Sequence, residues 1–256
     1  MLKVDGVSKR FGGLQALSEC NINVEKNSIV ALIGPNGSGK TTLFNVIAGV
    51  YKPEGGKVYF EGNDITGFKP YQIAKNGLVR TFQITRVFRS LTALSNLLVS
   101  PFGQKGENVV DVYFRGKSIV QQEKVNTDKA MELLAMLELA GFRDEMAGNL
   151  SYGDQKKLEI ARALMINPKI LLMDEPAAGV SSDAMTSLAK HIKDLNKSLG
   201  TTFLIVEHRM KFVLSLADYM YVLERGKNLV DGLPHDIVAN PKVIEAYLGT
   251  KKLLSK

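Results

Sequence analysis

The sequence predicts an α/β fold, a mainly parallel sheet covered on both faces, with an inserted α-helical lobe. Three observations predict it. The apolar, β-rich run "SIVALIG" leads into the glycine loop "PNGSGK" and then into the helical "TTLFNVIAGV". After about residue 150, apolar strand runs ("KILLMD", "TTFLIVE") alternate with helical stretches, the pattern of strand-helix-strand units. Between Gln83 and Leu150 the alternation gives way to helical spacing.

In chain order, "MLKVDGVSKRF" and "NINVEKNSIVALIG" read as strands separated by turns. "GGKVYFEGNDI" reads as a hairpin turning at "EGND". A helix is expected from Pro70 to Lys75, then a short strand, "LVRTF". In the lobe, "TALSNLLVS" and "VNTDKAMELLAMLELAGF" have helical periodicity, with Met131, Leu134 and Leu137 on one face. The irregular "PFGQKGENVVDVYFRGKS" between them is longer than an ordinary connection. The core then resumes with a helix from about Gly153, the strand "KILLMD", the helix "SDAMTSLAKHIKDLNKSL" and the strand "TTFLIVE". A helix "RMKFVLSLA", two strands in "YMYVLERGKNLVDG" and a last helix "VIEAYLG" complete the expected order.

Composition narrows the function classes. With 45% hydrophobic and 23% charged residues, the chain is that of an ordinary globular protein. No apolar run reaches the roughly 18 residues of a membrane span, and "MLKVDGVSKRFGG" lacks the apolar centre of a signal peptide. One cysteine, Cys20, rules out an internal disulfide and suits a reducing compartment. The net charge of +7 is spread along the chain, with only a short basic cluster in "KKLLSK". Without aromatic–basic interleaving this argues against nucleic acid and for a basic surface near anionic headgroups.

"GPNGSGKTT" satisfies the phosphate-loop pattern, with Gly34, Gly39, Lys40 and Thr41 at the required places and Pro35, Asn36, Gly37, Ser38 and Thr42 completing the run. Glycines let backbone N–H groups curl around phosphate oxygens, and the following helix presents its positive end. Lys40 supplies a charge for the β- and γ-phosphates, and the Thr41 hydroxyl is a Mg²⁺ ligand.

"KILLMDEP" delivers Asp174 and Glu175 at the end of a buried strand, where ligands bind in doubly wound sheets. Asp174 is expected to face the Mg²⁺, directly or through water. Glu175 is placed to polarise a water for attack on the γ-phosphate. Upstream, "LSYGDQ" starts a helix with Ser151 as its cap. A helix end of this kind is an anion site, yet it has no phosphate loop of its own.

Together, "GPNGSGKTT", "LSYGDQ" and "ILLMDEP" resemble the nucleotide-binding subunit of ATP-binding-cassette (ABC) transporters over nearly the whole chain. "LVRTFQITRVFRSLTALSNLLV", "DEPAAGV" and "NPKVIEAYLG" are similar to the group that imports branched-chain amino acids. The resemblance implies a P-loop NTPase (RecA-like) core with an antiparallel β subdomain and an inserted helical subdomain. It implies that Gln83 senses Mg²⁺ and the attacking water, that His208 contacts the γ-phosphate and that Phe11 stacks on adenine. His191 and His235 match nothing in the family pattern and are expected at the surface. The resemblance also accounts for the isolated helix cap. In the family two cassettes pair head to tail, which implies that Ser151 and the Gly153 N–H of one chain touch the γ-phosphate held by Lys40 of the other, with Asp154 and Gln155 also in the nucleotide-binding signature. The chain departs from the family at Tyr152, where a glycine is usual, and at "VSSDA" after "DEPAAG".

The implied activity is ATP hydrolysis with Mg²⁺, coupled to import through a membrane permease. The implied partners are a second ATP-binding subunit, identical or paralogous, the permease, and a substrate-binding protein, with the chain peripheral on the cytoplasmic face of the membrane. The permease contact is expected at Gln83 to Leu98, where Phe88 and Leu91 mix with Arg86 and Arg89. The expected divisions are 1–83 (core lobe with the β subdomain and the phosphate loop), 84–150 (helical subdomain), 151–235 (core lobe with the signature helix, acidic strand and switch histidine) and 236–256 (C-terminal helix and basic tail). Single cassettes also serve lipopolysaccharide extraction. A regulatory module without turnover is the other alternative, and the presence of both Glu175 and His208 argues against it.

Overall fold

The computed structural model describes residues 1–81, 86–103 and 116–252. They fall into two compact units. The first comprises Met1–Gln83, Lys169–Ala178 and Ile192–Lys256; the second comprises Ile84–Pro168 and Gly179–His191.

The first unit holds two sheets. Strands β1 (Leu2–Phe11) and β2 (Leu14–Val24) form an antiparallel hairpin, joined on the other edge of β1 by β4 (Gly55–Phe60) and then β5 (Asn63–Asp64). Along β1, Leu2, Val4 and Val7 are buried while Lys3 and Asp5 are exposed, the period-two pattern of a sheet with one face on a core. The "EGND" turn is a two-residue loop in which Glu61 and Gly62 both have positive φ (52° and 81°), as the twist of a tight hairpin favours.

The second sheet runs β10-β9-β3-β8-β7-β6. Its members are β3 (Ile29–Ile33), β6 (Leu78–Arg80), β7 (Ile170–Asp174), β8 (Thr202–Val206), β9 (Tyr219–Glu224) and β10 (Lys227–Gly232). All neighbours are parallel except β10, which is antiparallel to β9. Every residue of β3, β7 and β8 is buried, so their unbroken Val/Ile/Leu runs have apolar partners on both sides. Alternation along β3 separates the two faces. Val30 and Leu32 pack with Leu43, Phe44 and Ile47 of helix α1 (Lys40–Ile47) and with Leu2, Val4, Leu17 and Cys20 of the antiparallel sheet. Ala31 and Ile33 pack with Val213 of α7 (Met210–Leu216), Ile237 of α8 (Pro234–Ala239) and Val243 of α9 (Pro241–Lys252). Helix α2 (Pro70–Lys75) spans the residues expected of it. Helix α8 has no counterpart in the sequence-based expectation; proline at its first turn opens a six-residue helix too short to show a period.

The second unit is helical: α3 (Ala93–Leu98), α4 (Gly116–Met136), α5 (Tyr152–Leu164) and the first half of α6 (Ser182–Leu199). Leu97, Leu133, Leu134, Leu137, Leu139 and Leu158 are buried here. Helix α4 stops before the expected end because Glu138 takes a left-handed φ of 58°, after which Ala140–Phe142 continues as a 3₁₀ turn. Asn96 is wholly buried and fully engaged. Its amide nitrogen donates to the carbonyls of Phe88, Leu91 and Thr92, and its Oδ1 accepts from Phe88 N–H. This bonding holds the turn over Phe88–Thr92 onto α3. His191, expected at the surface, is buried: Nδ1 lies 3.4 Å from Ser187 Oγ and Nε2 3.6 Å from Glu138 Oε1. Burial of a ring with polar partners at both nitrogens costs little. His235 is exposed, as expected.

Candidate active site

The phosphate loop follows β3 and leads into α1. Gly34 has φ 148° and Gly39 φ 102°. A Cβ at Gly34 would lie 2.1 Å from the Leu223 carbonyl oxygen, and one at Gly39 2.7 Å from that of Ala16. Both positions therefore need glycine for conformation and for space. Lys40 is buried and turns back across the loop, its Nζ donating to Gly34 O at 2.8 Å and Pro35 O at 2.9 Å. Burial pulls its pKa down, opposed by the nearby charges of Glu175 and Asp174. The lysine and both carboxylates thus share one electrostatic neighbourhood.

Asp174 ends β7 and is buried. Its Oδ2 accepts from Arg80 Nη2 at 2.8 Å, and Arg80 Nη1 donates to Asn45 Oδ1 at 2.5 Å. The guanidinium lies over the Phe44 ring at 5.8 Å. Glu175 has φ 48°, an uncommon conformation for a residue with a side chain and typical of functional turns. Its N–H donates to Val206 O at 2.9 Å, which fixes the turn against the end of β8. His208 Nδ1 lies 3.6 Å from Glu175 Oε1 and 3.5 Å from Glu207 Oε1. Glu207 is wholly buried and accepts from three backbone N–H groups: Ala177 at 3.1 Å, His208 at 2.8 Å and Arg209 at 3.1 Å. One carboxylate therefore ties the segment after Glu175 to the segment carrying His208.

A cleft of about 460 Å³ brings Phe11 to the phosphate loop, lined also by Leu14, Gln15 and the stretch from Gly37 to Thr42. Phe11 packs edge-on against Tyr51, with Lys9 Nζ 5.4 Å from its ring centre. The side chain stays 41% exposed, leaving surface for a planar base.

Ser151, Gly153, Asp154 and Gln155 belong to the second unit. Ser151 caps α5: its Oγ accepts from Asp154 N–H at 3.1 Å and donates to Asp154 Oδ2 at 2.7 Å. Gln155 is turned inward, donating to Leu150 O at 2.9 Å. Tyr152 turns onto the glycine after the acidic strand; a Cβ at Gly179 would come within 2.9 Å of its ring. Lys156 Nζ lies 5.8 Å from the ring centre. In the same unit Phe88 is half exposed beneath the Arg162 guanidinium, which also donates to Arg86 O. Gln83 lies outside the described residues.

The donors present fit a nucleoside triphosphate with Mg²⁺. The loop supplies a glycine cradle and a buried ammonium that donates to the neutral oxygens of Gly34, Pro35 and Ser38. The exposed Thr41 hydroxyl and the Asp174 carboxylate are the hard oxygen donors that Mg²⁺ takes.

The family described as ABC transporter matches residues 17–178, which is more than half of the chain. The chain belongs to the ABC transporter family. A second match, described as branched-chain amino acid ATP-binding cassette transporter, covers residues 227–252. This cassette is 45% identical to the probable branched-chain amino acid transport ATP-binding protein LivG of Archaeoglobus fulgidus, covering 98% of this chain and 96% of that protein. It is 41% identical to the high-affinity branched-chain amino acid transport ATP-binding protein BraF of Pseudomonas aeruginosa, with 97% and 98% covered. Among solved structures it is similar to the ADP conformation of an ATP-binding cassette of an ABC transporter, with a TM-score of 0.83, 39% identity and coverage of 97% and 98%.

Three residues of the cassette's site were missed in the sequence. Arg80 carried a readable signal, a charge inside the apolar strand "LVRTF". Glu207 directly precedes His208 but reads as ordinary strand-end polarity. Asn45 sits among apolar helix positions, and nothing local links it to Arg80.

Proposed function

We propose that this cassette is the ATP-hydrolysing subunit of an importer of branched-chain amino acids, acting at the cytoplasmic face of the membrane in a pair of cassettes bound to permease subunits. The observation that carries the reading is the gathering of Lys40, Asp174, Glu175 and His208 at the ends of neighbouring strands, in a chain that matches LivG and BraF over nearly its full length.

The chemistry follows from the placement. Phe11 takes the adenine face, and the loop from Gly34 to Thr42 takes the phosphates. Lys40 exchanges its carbonyl partners for β- and γ-phosphate oxygens. The Thr41 hydroxyl and the Asp174 carboxylate, directly or through water, would hold Mg²⁺, which would supply positive charge against the phosphates. Glu175 accepts a proton from the attacking water, and His208 sits beside it to contact the γ-phosphate. Gln83 completes this set in the proposal. Ser151 and Gly153 serve the partner cassette's nucleotide, so the monomer turns over slowly. The division expected from the sequence is 1–83 and 151–235 as core lobes, 84–150 as helical subdomain and 236–256 as C-terminal portion, whereas the compact units group 151–168 and 179–191 with the helices; Phe88, with Leu91 and the flanking arginines, docks the permease.

Two experiments test this. The first mixes Lys40→Ala chains with Ser151→Arg chains. Each mixed pair keeps one intact composite site, and ATPase activity should return in mixtures where neither variant alone is active; no recovery counts against the shared site. The second reconstitutes the cassette with its permease in vesicles. ATP-dependent uptake of leucine, isoleucine or valine is expected, and transport of an unrelated solute instead would sink the cargo assignment.

A further inference from the structure

Helix α9 carries "PKVIEAYLG", a stretch to which the chemistry above gives no work. Its Tyr247 hydroxyl accepts a hydrogen bond from Gly34 N–H at 2.8 Å, across 213 residues of sequence. Gly34 lies one residue past the end of β3, where the ladder to β9 stops at Ile33. Its N–H therefore needs an acceptor from elsewhere. On the other side the Leu223 carbonyl fills the space that a Cβ on Gly34 would take, and the Gly34 carbonyl accepts from the Lys40 ammonium at 2.8 Å. The first peptide of the loop is thus gripped between Tyr247 and the β9 backbone, and its next carbonyl sets the resting position of the lysine.

The Tyr247 ring is itself seated. It packs against the cluster of Ala31, Ile33, Val222, Ile237 and Val243, so the hydroxyl is delivered from the core and not from a loose tail. Burial pushes the phenol up to about 12, which keeps it neutral through ordinary pH. A neutral phenol oxygen accepts from an amide without bringing a negative charge toward a phosphate.

We infer that Tyr247 is a positioning residue of the nucleotide site: its hydroxyl orients the Ile33–Gly34 peptide, and through it the loop that binds the phosphates of ATP. The inference rests on the ATP reading above and assigns the C-terminal helix a part in that site.

The test is Tyr247→Phe in the full chain, which removes one oxygen and keeps the ring. Binding is measured with ATP in EDTA, where hydrolysis does not interfere. The dissociation constant should rise about 3- to 10-fold, the range of one lost buried hydrogen bond. KM for ATP should rise in step while kcat at saturating ATP stays within about two-fold, since no group at the γ-phosphate has changed. Ile33–Gly34 is the sole Ile–Gly dipeptide in the sequence, so carbonyl-labelled isoleucine with ¹⁵N-glycine gives a single amide signal for this bond. Its proton should move upfield in the variant. Val243→Ala, which loosens the same helix without touching the hydroxyl, is the control for packing. Unchanged ATP affinity in Tyr247→Phe overturns the inference, as does equal weakening in Val243→Ala. A parent chain that binds no ATP overturns the ATP reading and this inference with it; a parent and variant that bind equally overturn this inference alone.

Discussion

Arg80 and Asp174 form a buried ion pair, Nη2 to Oδ2 at 2.8 Å, with the same guanidinium bonded to Asn45 on α1. Strand β6, the acidic end of β7 and the helix behind the phosphate loop are therefore held by one side chain. The arrangement has a cost: Arg80 Nε is the one buried side-chain nitrogen or oxygen without a hydrogen-bond partner among the described residues. Arg80→Met should destabilise the fold by about 3–5 kcal/mol, because Asp174 is left buried without its counter-charge. Adding Asp174→Leu should restore most of that stability while leaving the protein inactive. Urea denaturation of the two single variants and the double variant closes the cycle; a double variant as unstable as Arg80→Met would refute the pairing as the source of the loss.

Glu175→Gln keeps the shape of the turn and removes the base. ATP binding should persist while kcat falls at least about 100-fold, the usual scale for losing a general base. A stable, ATP-dependent dimer should then be visible by size-exclusion chromatography. Hydrolysis at the parent rate would remove Glu175 from the chemistry.

Cys20 is buried, its Sγ donating to Gly226 O at 3.0 Å, and burial raises its pKa to about 11. Reaction requires thiolate and access, so an aromatic disulfide reagent at pH 8 should label the native chain only at the rate of unfolding. Labelling as fast as that of the urea-unfolded chain would contradict this packing.

Asp64, in the short strand after the "EGND" turn, is held down to about 2, from a normal 3.8, by the Thr66 hydroxyl and amide and by Lys57. The folded state prefers the carboxylate, so its contribution to stability is complete above pH 4 and fades as pH falls towards 2. The melting temperature of Asp64→Asn should lie below that of the parent at pH 6, and the gap should shrink steadily between pH 4 and 2. A gap that does not change over that interval would show that the bonds to Asp64 are not what lowers its pKa.

Much of this was legible because it is local. The Val/Ile/Leu runs of β3, β7 and β8 could only be central strands, and Gly34, Gly39 and Lys40 declare their loop by spacing. Pro70 to Lys75 carries its start in its first residue. The rest depends on pairings distant in sequence. Polar residues such as Gln15 and Glu19 disguise the first part of β2, whose other side is core. His191 is buried because Glu138 and Ser187 meet its ring, and residue type alone does not say which face of α6 turns inward. Tyr247 and Gly34 meet only when the last helix packs on the sheet.

The order of strands also sets a clock. β3 lies between β8 and β9, which leave the ribosome roughly 170 to 190 residues later. At about 5–20 residues per second, the finished phosphate-loop sequence waits roughly 10–40 seconds for its neighbours. Throughout that interval the nascent chain displays "GPNGSGKTT" with neither β8 nor β9 beside β3. A ribosome stalled before Thr202 therefore carries the entire motif and no binding site.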